Sequence, residues 1–473
     1  MLFNSFEFVV FFITVFTLYW ILNKNLKLQN ILLLVASYIF YGWWDWRFLF
    51  LLFFNSLVNF FLGKYIFNAK NEKQKKKLLY AALFFNLGLL GFFKYFNFFI
   101  DSFISFSSAV GIKTSVSTLN IILPVGISFY TFQALSYIID IYRGNIKPVT
   151  NPISFFTFKA FFPQLVAGPI ERASNLLIQI DVPRKFNVAW FKAGVFQIAV
   201  GFFRKVVIAD SLAIYVDRIY GSPDLYDSNT LIFATVLYAF QIYFDFAGYS
   251  DIAIGTAKTM GFRFEQNFNL PYFSKSLTEF WRKWHMSLSY WLRDYLYISL
   301  GGNRKGKIMT YRNLMITMLL GGLWHGSSWN FVIWGAIHGV FLAIEKWMMS
   351  LKLDLFKNHF VSKLGYLYTF SVVCFAWIFF RAQTFDNASL IISKIFNYRL
   401  SPIFIGDINV FINMMVMLMI GILVDLTLRI RNVDLEVAAA DWSTIKLAIV
   451  TSIFLILLCL FFSSSNNFIY FQF

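Results

Sequence analysis

Apolar residues fall in long runs rather than alternating singly. Runs long enough to cross, or nearly cross, a hydrocarbon core about 30 Å thick lie at 6–22, 29–44, 48–67, 78–100, 119–141, 191–217, 230–255, 308–323, 328–348, 364–380, 408–428 and 445–463. This pattern predicts an all-α polytopic membrane protein with about 11–13 membrane segments. A further run at 155–170 contains Pro163, Gly168 and Pro169. It is too interrupted for a simple span and is expected to be re-entrant, which is tolerated only where protein or water surrounds the backbone. The first run has no basic residue before it and no small-residue cleavage site after it, so it is expected to be a span rather than a cleaved signal.

Polar positions refine the picture. Between residues 278 and 300, Trp281, Trp284, Leu288, Trp291, Leu292 and Tyr295 recur at helical spacing, while Arg282, Lys283, Ser289 and Arg293 lie largely elsewhere. That predicts an amphipathic helix with an aromatic face, lying at the cytoplasmic interface or dipping inward. No soluble domain, internal repeat or low-complexity linker is visible. The expectation is a single integral-membrane domain over 1–473, with N-terminal spans at 1–150, a core at 151–348 and further spans at 349–473.

Composition agrees. Of 473 residues 59% are hydrophobic, 14% are charged and the mean hydropathy is +0.63, whereas a soluble protein carries about 25% charged residues. The net charge of +17 is spread over clusters between apolar runs, the positive-inside pattern, and gives no nucleic-acid surface. The cluster KNEKQKKK (70–77) is expected in the cytoplasm. Counting spans from it places the N-terminus outside and the Lys- and Arg-rich stretch 258–312 inside. Cys374 and Cys459 lie in apolar runs, which excludes a disulfide framework and leaves the redox compartment open.

Three of the four histidines, His285, His325 and His338, fall between residues 267 and 339, with six tryptophans. Ionisable residues in strongly apolar sequence are functional candidates. His325 stands in GGLWHGSSWNF, where Gly321, Gly322 and Gly326 let the backbone break or approach closely; it is a base or a structural histidine. His285 borders the expected aromatic face, where partial desolvation favours the neutral form a base needs. His338 is expected to be structural. His359 follows Lys357 in a polar stretch and is expected to be solvated. Asp245 and Asp251 in YFDFAGYSD, expected near a span's cytoplasmic end, either bind a polar substrate or hold helices together. No HExxH, paired-Cys motif or GxSxG occurs, so neither a metal site nor a serine-nucleophile elbow is expected.

The segments FFPQLVAGPIER (161–172), FDFAGYSDIAIGTAKTMGF (244–262), NFNLPYFSKSLTEFWRKWHMSLSYWLRDYLYISLGGNR (267–304) and GLWHGSSWNFVIWGAIHG (322–339) resemble the membrane-bound O-acyltransferase family. The resemblance is to its bacterial alginate and peptidoglycan O-acetyltransferase branch and covers nearly the whole chain. Ser299 stands where relatives carry proline, a departure confined to one loop. The resemblance implies a ring of helices around a central funnel, with re-entrant and interfacial helices. It puts the family's invariant histidine on His325 and its second characteristic polar position on His285, with Trp324, Asp245, Asp251 and Arg293 expected to bind substrate. No cofactor is expected to be resident; acetyl-CoA is the implied cytoplasmic donor. His285 would orient the donor or stabilise developing charge. Arg282, Lys283, Arg293, Arg304 and Lys305 would meet the donor's phosphates or anionic lipid headgroups. The implied partners are membrane lipids, an SGNH-type acetyltransferase outside the cytoplasmic membrane, and an envelope polysaccharide, peptidoglycan before alginate. D-alanyl transfer to a teichoic-acid-type polymer and a non-catalytic transporter or flippase are the alternatives.

Overall fold

The computed structural model describes residues 1–165, 168–351, 359–431 and 442–461, and among these the regular structure is helical. The chain packs as two compact units, Met1–Asn187 with Met260–Phe264, and Val188–Thr259 with Glu265–Phe473. The first unit runs to Asn187, and the second holds the chain from Val188 onward apart from Met260–Phe264.

The first unit contains α1 (Phe6–Ile21), α2 (Leu26–Gly42), α3 (Arg47–Phe67), α4 (Glu72–Leu90), α5 (Phe96–Ala109), α6 (Ile127–Arg143), α7 (Pro152–Ala160), α8 (Phe162–Leu165) and α9 (Ala173–Ile180). Side chains of Ser5, Asn25, Asn71 and Asn151 accept the backbone N–H groups that open α1, α2, α4 and α7, satisfying donors a helix start leaves orphaned. Buried Asn55, Asn59 and Asn86 bond to one another across α3 and α4, a polar latch in an apolar setting. The run at 155–170 is broken, as expected. Its helix stops at Ala160, a four-residue turn follows, and the side chains on both sides of the breaks are buried in protein.

The second unit contains α10 (Val188–Phe202), α11 (Asp210–Gly221), α12 (Ser228–Thr259), α13 (Leu277–Trp281), α14 (Met286–Trp291), α15 (Lys307–His325), α16 (Trp329–Ser350), α17 (His359–Arg381), α18 (Phe385–Phe396), α19 (Ile408–Arg431) and α20 (Thr444–Phe461). The 32-residue α12 is buried along most of its length and is the post around which α10, α11 and α17 pack. His359, expected in a polar stretch, opens α17.

Six described helices are long and apolar enough to cross a membrane: Arg47–Phe67, Glu72–Ala109, Ser228–Thr259, Trp329–Ser350, Lys363–Arg381 and Ile408–Ile430. Phe6–Ile21, Leu26–Gly42 and Thr444–Leu460 are apolar but shorter. Other runs are subdivided. The run at 191–217 is interrupted by a π-helical turn, Phe203–Ala209, carrying buried Arg204 and Lys205. Only the part of 119–141 from Ile127 onward is helical.

α15 and α16 form a hairpin closed by small residues. A Cβ on Gly335 would overlap the Met318 carbonyl, and one on Gly322 would overlap the Phe331 carbonyl. Backbone atoms cannot yield as a side chain's end can, so Gly335→Val is expected to force the helices apart. The expected loss is about 1–3 kcal/mol, read as a lower thermal midpoint of the detergent-solubilised protein. A midpoint equal to wild type would show that the helices part without cost.

Candidate active site

The expected helix over 278–300 is broken in two at His285, a correction with a local cause. α13 begins with Ser276 Oγ accepting the Glu279 N–H at 3.1 Å. Buried Glu345, reaching from α16, accepts the Leu277 and Thr278 N–H groups at 2.6 and 3.0 Å and the Thr278 hydroxyl at 2.8 Å. A carboxylate on the amino end of a helix meets both its orphaned donors and its dipole. Five residues later the chain leaves the helix because residues 267–269 compete for its backbone. Asn269 N–H donates to the Lys283 carbonyl at 2.9 Å, and Met286 N–H donates to the Asn267 carbonyl at 2.9 Å. Between these bonds His285 sits at φ 42°, ψ 54°. Non-glycine residues seldom adopt that left-handed conformation, and it persists only where the surroundings enforce it. α14 and a π-helical turn, Leu292–Tyr297, follow.

His285 is not at the edge of an apolar face; it is fully buried. Its Nδ1 lies 3.0 Å from Asn267 Oδ1, and the Phe246 ring meets it edge-on at 4.6 Å between centroids. Burial pushes its imidazole far below the usual histidine range, to about 3, so the ring is neutral at ordinary pH.

His325 is the last residue of α15, and the helix stops at extended Gly326. The expected interruption is present, and the imidazole is 3% exposed. Its ring lies 6.2 Å from that of His285, with Trp324 touching both at 5.1 and 5.8 Å. Trp334 and Phe380 close on His325 at 5.0 and 5.4 Å. The structure therefore brings together two imidazoles 40 residues apart in sequence, with an indole beside both and aromatic walls around them. His338 stands one layer back: Trp334 lies against it at 4.8 Å, and the Trp281 indole N–H donates to its Nδ1 at 3.4 Å.

The other expected site residues lie elsewhere in this unit. Asp245 and Asp251 sit well inside α12 rather than at its end. Arg204 bonds Asp251 at 2.6 Å through one guanidinium nitrogen and Asp425 of α19 at 2.6 Å through another. Tyr243 donates to Asp425 at 2.7 Å, and Gln197 donates to Asp251 at 3.0 Å. Lys205 bridges Asp245 and Asp210 at 2.6 and 2.8 Å. Both expected carboxylates are thus engaged by buried cations. Arg293 is half-exposed, pairs with Asp294 at 2.6 Å and lies over the Tyr290 ring at 4.8 Å. It lines a cavity of about 300 Å³ with Trp281, Arg282, Ser289, Thr317 and Lys346. The inner wall, Trp281, packs on Trp334 at 5.7 Å, which in turn packs on His325. A basic, hydroxyl-lined cavity thus lies two aromatic layers from the paired imidazoles. Ser299, the departure from the resemblance noted above, donates its hydroxyl hydrogen to the Tyr295 carbonyl at 2.8 Å.

Sequence reading missed Asn267, Ser250 and Ser287 around His285, and Glu345 behind α13. The asparagines flanking Phe268 in NFNLPY were a usable signal, because Asn readily bonds backbone and ring groups in irregular segments. Among the described residues no group of three or more His, Cys, Asp or Glu is placed to hold a metal ion.

The sequence model of the membrane-bound O-acyltransferase family matches residues 146–385. The protein named "Probable alginate O-acetylase AlgI" of Pseudomonas putida is 43% identical over 400 residues, 84% of this chain and 81% of that protein. A peptidoglycan O-acetyltransferase of Helicobacter pylori is 36% identical, covering 82% of this chain and 78% of that protein. A teichoic acid D-alanyltransferase of Bacillus subtilis is 31% identical over 57% of this chain and 71% of that protein. Membership in a family of enzymes sets aside the transporter alternative. Long apolar helices, two buried imidazoles brought within one side chain's reach, and a match spanning most of the sequence converge: the chain is a multi-pass membrane O-acyltransferase and belongs to the membrane-bound O-acyltransferase family.

Proposed function

We propose that this enzyme takes an acetyl group from cytoplasmic acetyl-CoA and passes it to the outer side of the cytoplasmic membrane for O-acetylation of an envelope polysaccharide. The observation that carries this reading is the approach of His325 and His285 beside Trp324 in a buried aromatic enclosure. His325 acts as the general base. It takes the proton from an acceptor hydroxyl as that oxygen attacks the thioester carbonyl, and returns it to the departing thiolate as the C–S bond breaks. Such proton transfer is worth about 10²–10⁴-fold.

The cavity lined by Arg282, Arg293 and Lys346 takes the donor's phosphate-bearing end, where guanidinium groups suit phosphate oxygens. Basic loops support an orientation with this face in the cytoplasm and the N-terminus outside. An SGNH-type acetyltransferase, or the polysaccharide itself, receives the acetyl group. Greater identity with alginate O-acetylases than with the peptidoglycan enzyme supports an exopolysaccharide acceptor ahead of peptidoglycan, reversing the order expected above. The D-alanyltransferases match a smaller share of the chain, which supports acetyl over D-alanyl.

Purified enzyme in liposomes is expected to release thiol from acetyl-CoA when an acceptor oligosaccharide is supplied. The Arg282→Gln/Arg293→Gln double variant is expected to raise the donor KM about tenfold or more with kcat held, since each lost charge-assisted bond is worth about 1.5–3 kcal/mol. Thiol release only from an acyl-carrier protein, with acetyl-CoA inert, would overturn the donor.

A further inference from the structure

The surroundings of His285 decide which of its ring nitrogens carries hydrogen. Asn267 Oδ1 accepts the Ser287 hydroxyl at 2.9 Å and faces the Ser287 backbone N–H at 3.4 Å, while its Nδ2 donates to Ser250 Oγ on α12 at 3.2 Å. A backbone N–H only donates, so the atom turned towards it is the amide oxygen and the side chain cannot be flipped. That same oxygen lies 3.0 Å from His285 Nδ1. An amide oxygen has no hydrogen to give, so Nδ1 must supply it. We infer that Asn267 is a positioning residue that holds His285 as the Nδ1–H tautomer, with the lone pair on Nε2.

One short stretch therefore controls both the backbone and the ring of His285. The Asn267 carbonyl, with Asn269, holds the left-handed turn, and the Asn267 side chain sets the tautomer. The chemical consequence rests on the acyl-transfer reading above. A neutral ring with its lone pair on Nε2 accepts hydrogen bonds there and cannot donate one. His285 therefore accepts a hydrogen bond from a second polar hydrogen of the acceptor and so orients it, leaving the attacking hydroxyl's single hydrogen to His325. Of the two roles the resemblance implies for His285, orienting the donor or stabilising developing charge, this tautomer leaves no hydrogen at Nε2 for the second.

The test reads the nitrogens directly. Protein carrying ¹⁵N-labelled histidine, in lipid bilayers, is examined by solid-state NMR, with the His285 signals identified by their loss in His285→Gln. The expected spectrum shows Nδ1 protonated and Nε2 unprotonated; the opposite assignment overturns the inference. Asn267→Leu is expected to release the tautomer and lower kcat about 10- to 100-fold, by analogy with the partners that orient metal-bound imidazoles, with donor KM unchanged. An unchanged tautomer and kcat in that variant would equally overturn it. Asn267→Asp keeps the accepting oxygen and adds a negative charge that favours imidazolium. It is expected to keep the tautomer and move the acid limb of kcat to higher pH. An acid limb that stays in place would count against direct contact. If the leucine variant does not fold, the wild-type spectrum and the aspartate variant decide. The spectrum is independent of turnover, so a wrong acceptor or donor would leave this result standing.

Discussion

His325→Gln protein is expected to accumulate in the membrane like wild type and to add no ester-linked acetate to envelope polysaccharide above background. Glutamine fills a similar volume and retains hydrogen-bonding capacity, so the end of α15 against Trp324, Trp334 and Phe380 keeps most of its packing. What is lost is a group able to take and return a proton. Removing a general base costs about 10²–10⁴-fold in turnover, and little reaction remains once hydroxyl attack must proceed without it. Acetate measured after mild alkaline release, normalised to the membrane content of each variant, reads the outcome. Wild-type acetate in the variant would end the assignment of His325 as base. A variant that never reaches the membrane would make His325 an architectural residue.

The largest stability effect is expected at Arg204. Its guanidinium joins Asp251 of α12 to Asp425 of α19 from a π-helical turn, and the three groups are buried. Arg204→Leu leaves two buried carboxylates without their shared cation. Breaking a buried pair from one side costs about 3–5 kcal/mol, enough to halt accumulation or sharply lower the thermal midpoint in detergent. Replacing all three partners with apolar residues of similar size removes the uncompensated charge and is expected to recover much of the loss. A single variant as heat-resistant as wild type would show the network to be ornamental.

Much of this was readable from residues alone, and the rest failed for definite reasons. The helical class followed from run length, because lipid leaves backbone polar groups no partner outside the chain. His285 and His325 stood out as ionisable groups in apolar sequence, and Gly326 marked the break beside His325. Periodicity missed the break at His285. The aromatic spacing fits a continuous helix, and the competitor for its backbone, residues 267–269, lies outside the window that periodicity samples. The Arg204–Asp251–Asp425 network was invisible because its partners lie 47 and 221 residues apart and depend on the register of packed helices. Asp245 and Asp251 were seen as noteworthy, but no local signal names the cations that engage them.

The glycine contacts between α15 and α16 have a further consequence. With two backbones locked face to face, the imidazole at their junction is carried on a stiff fork that has little room to swing. In the transfer proposed above, both substrates would come to this one spot, and turnover would need no rocking of one half of the unit against the other. On that proposal the acetyl group would change sides by changing carrier, and being uncharged it would leave the membrane voltage nothing to push on.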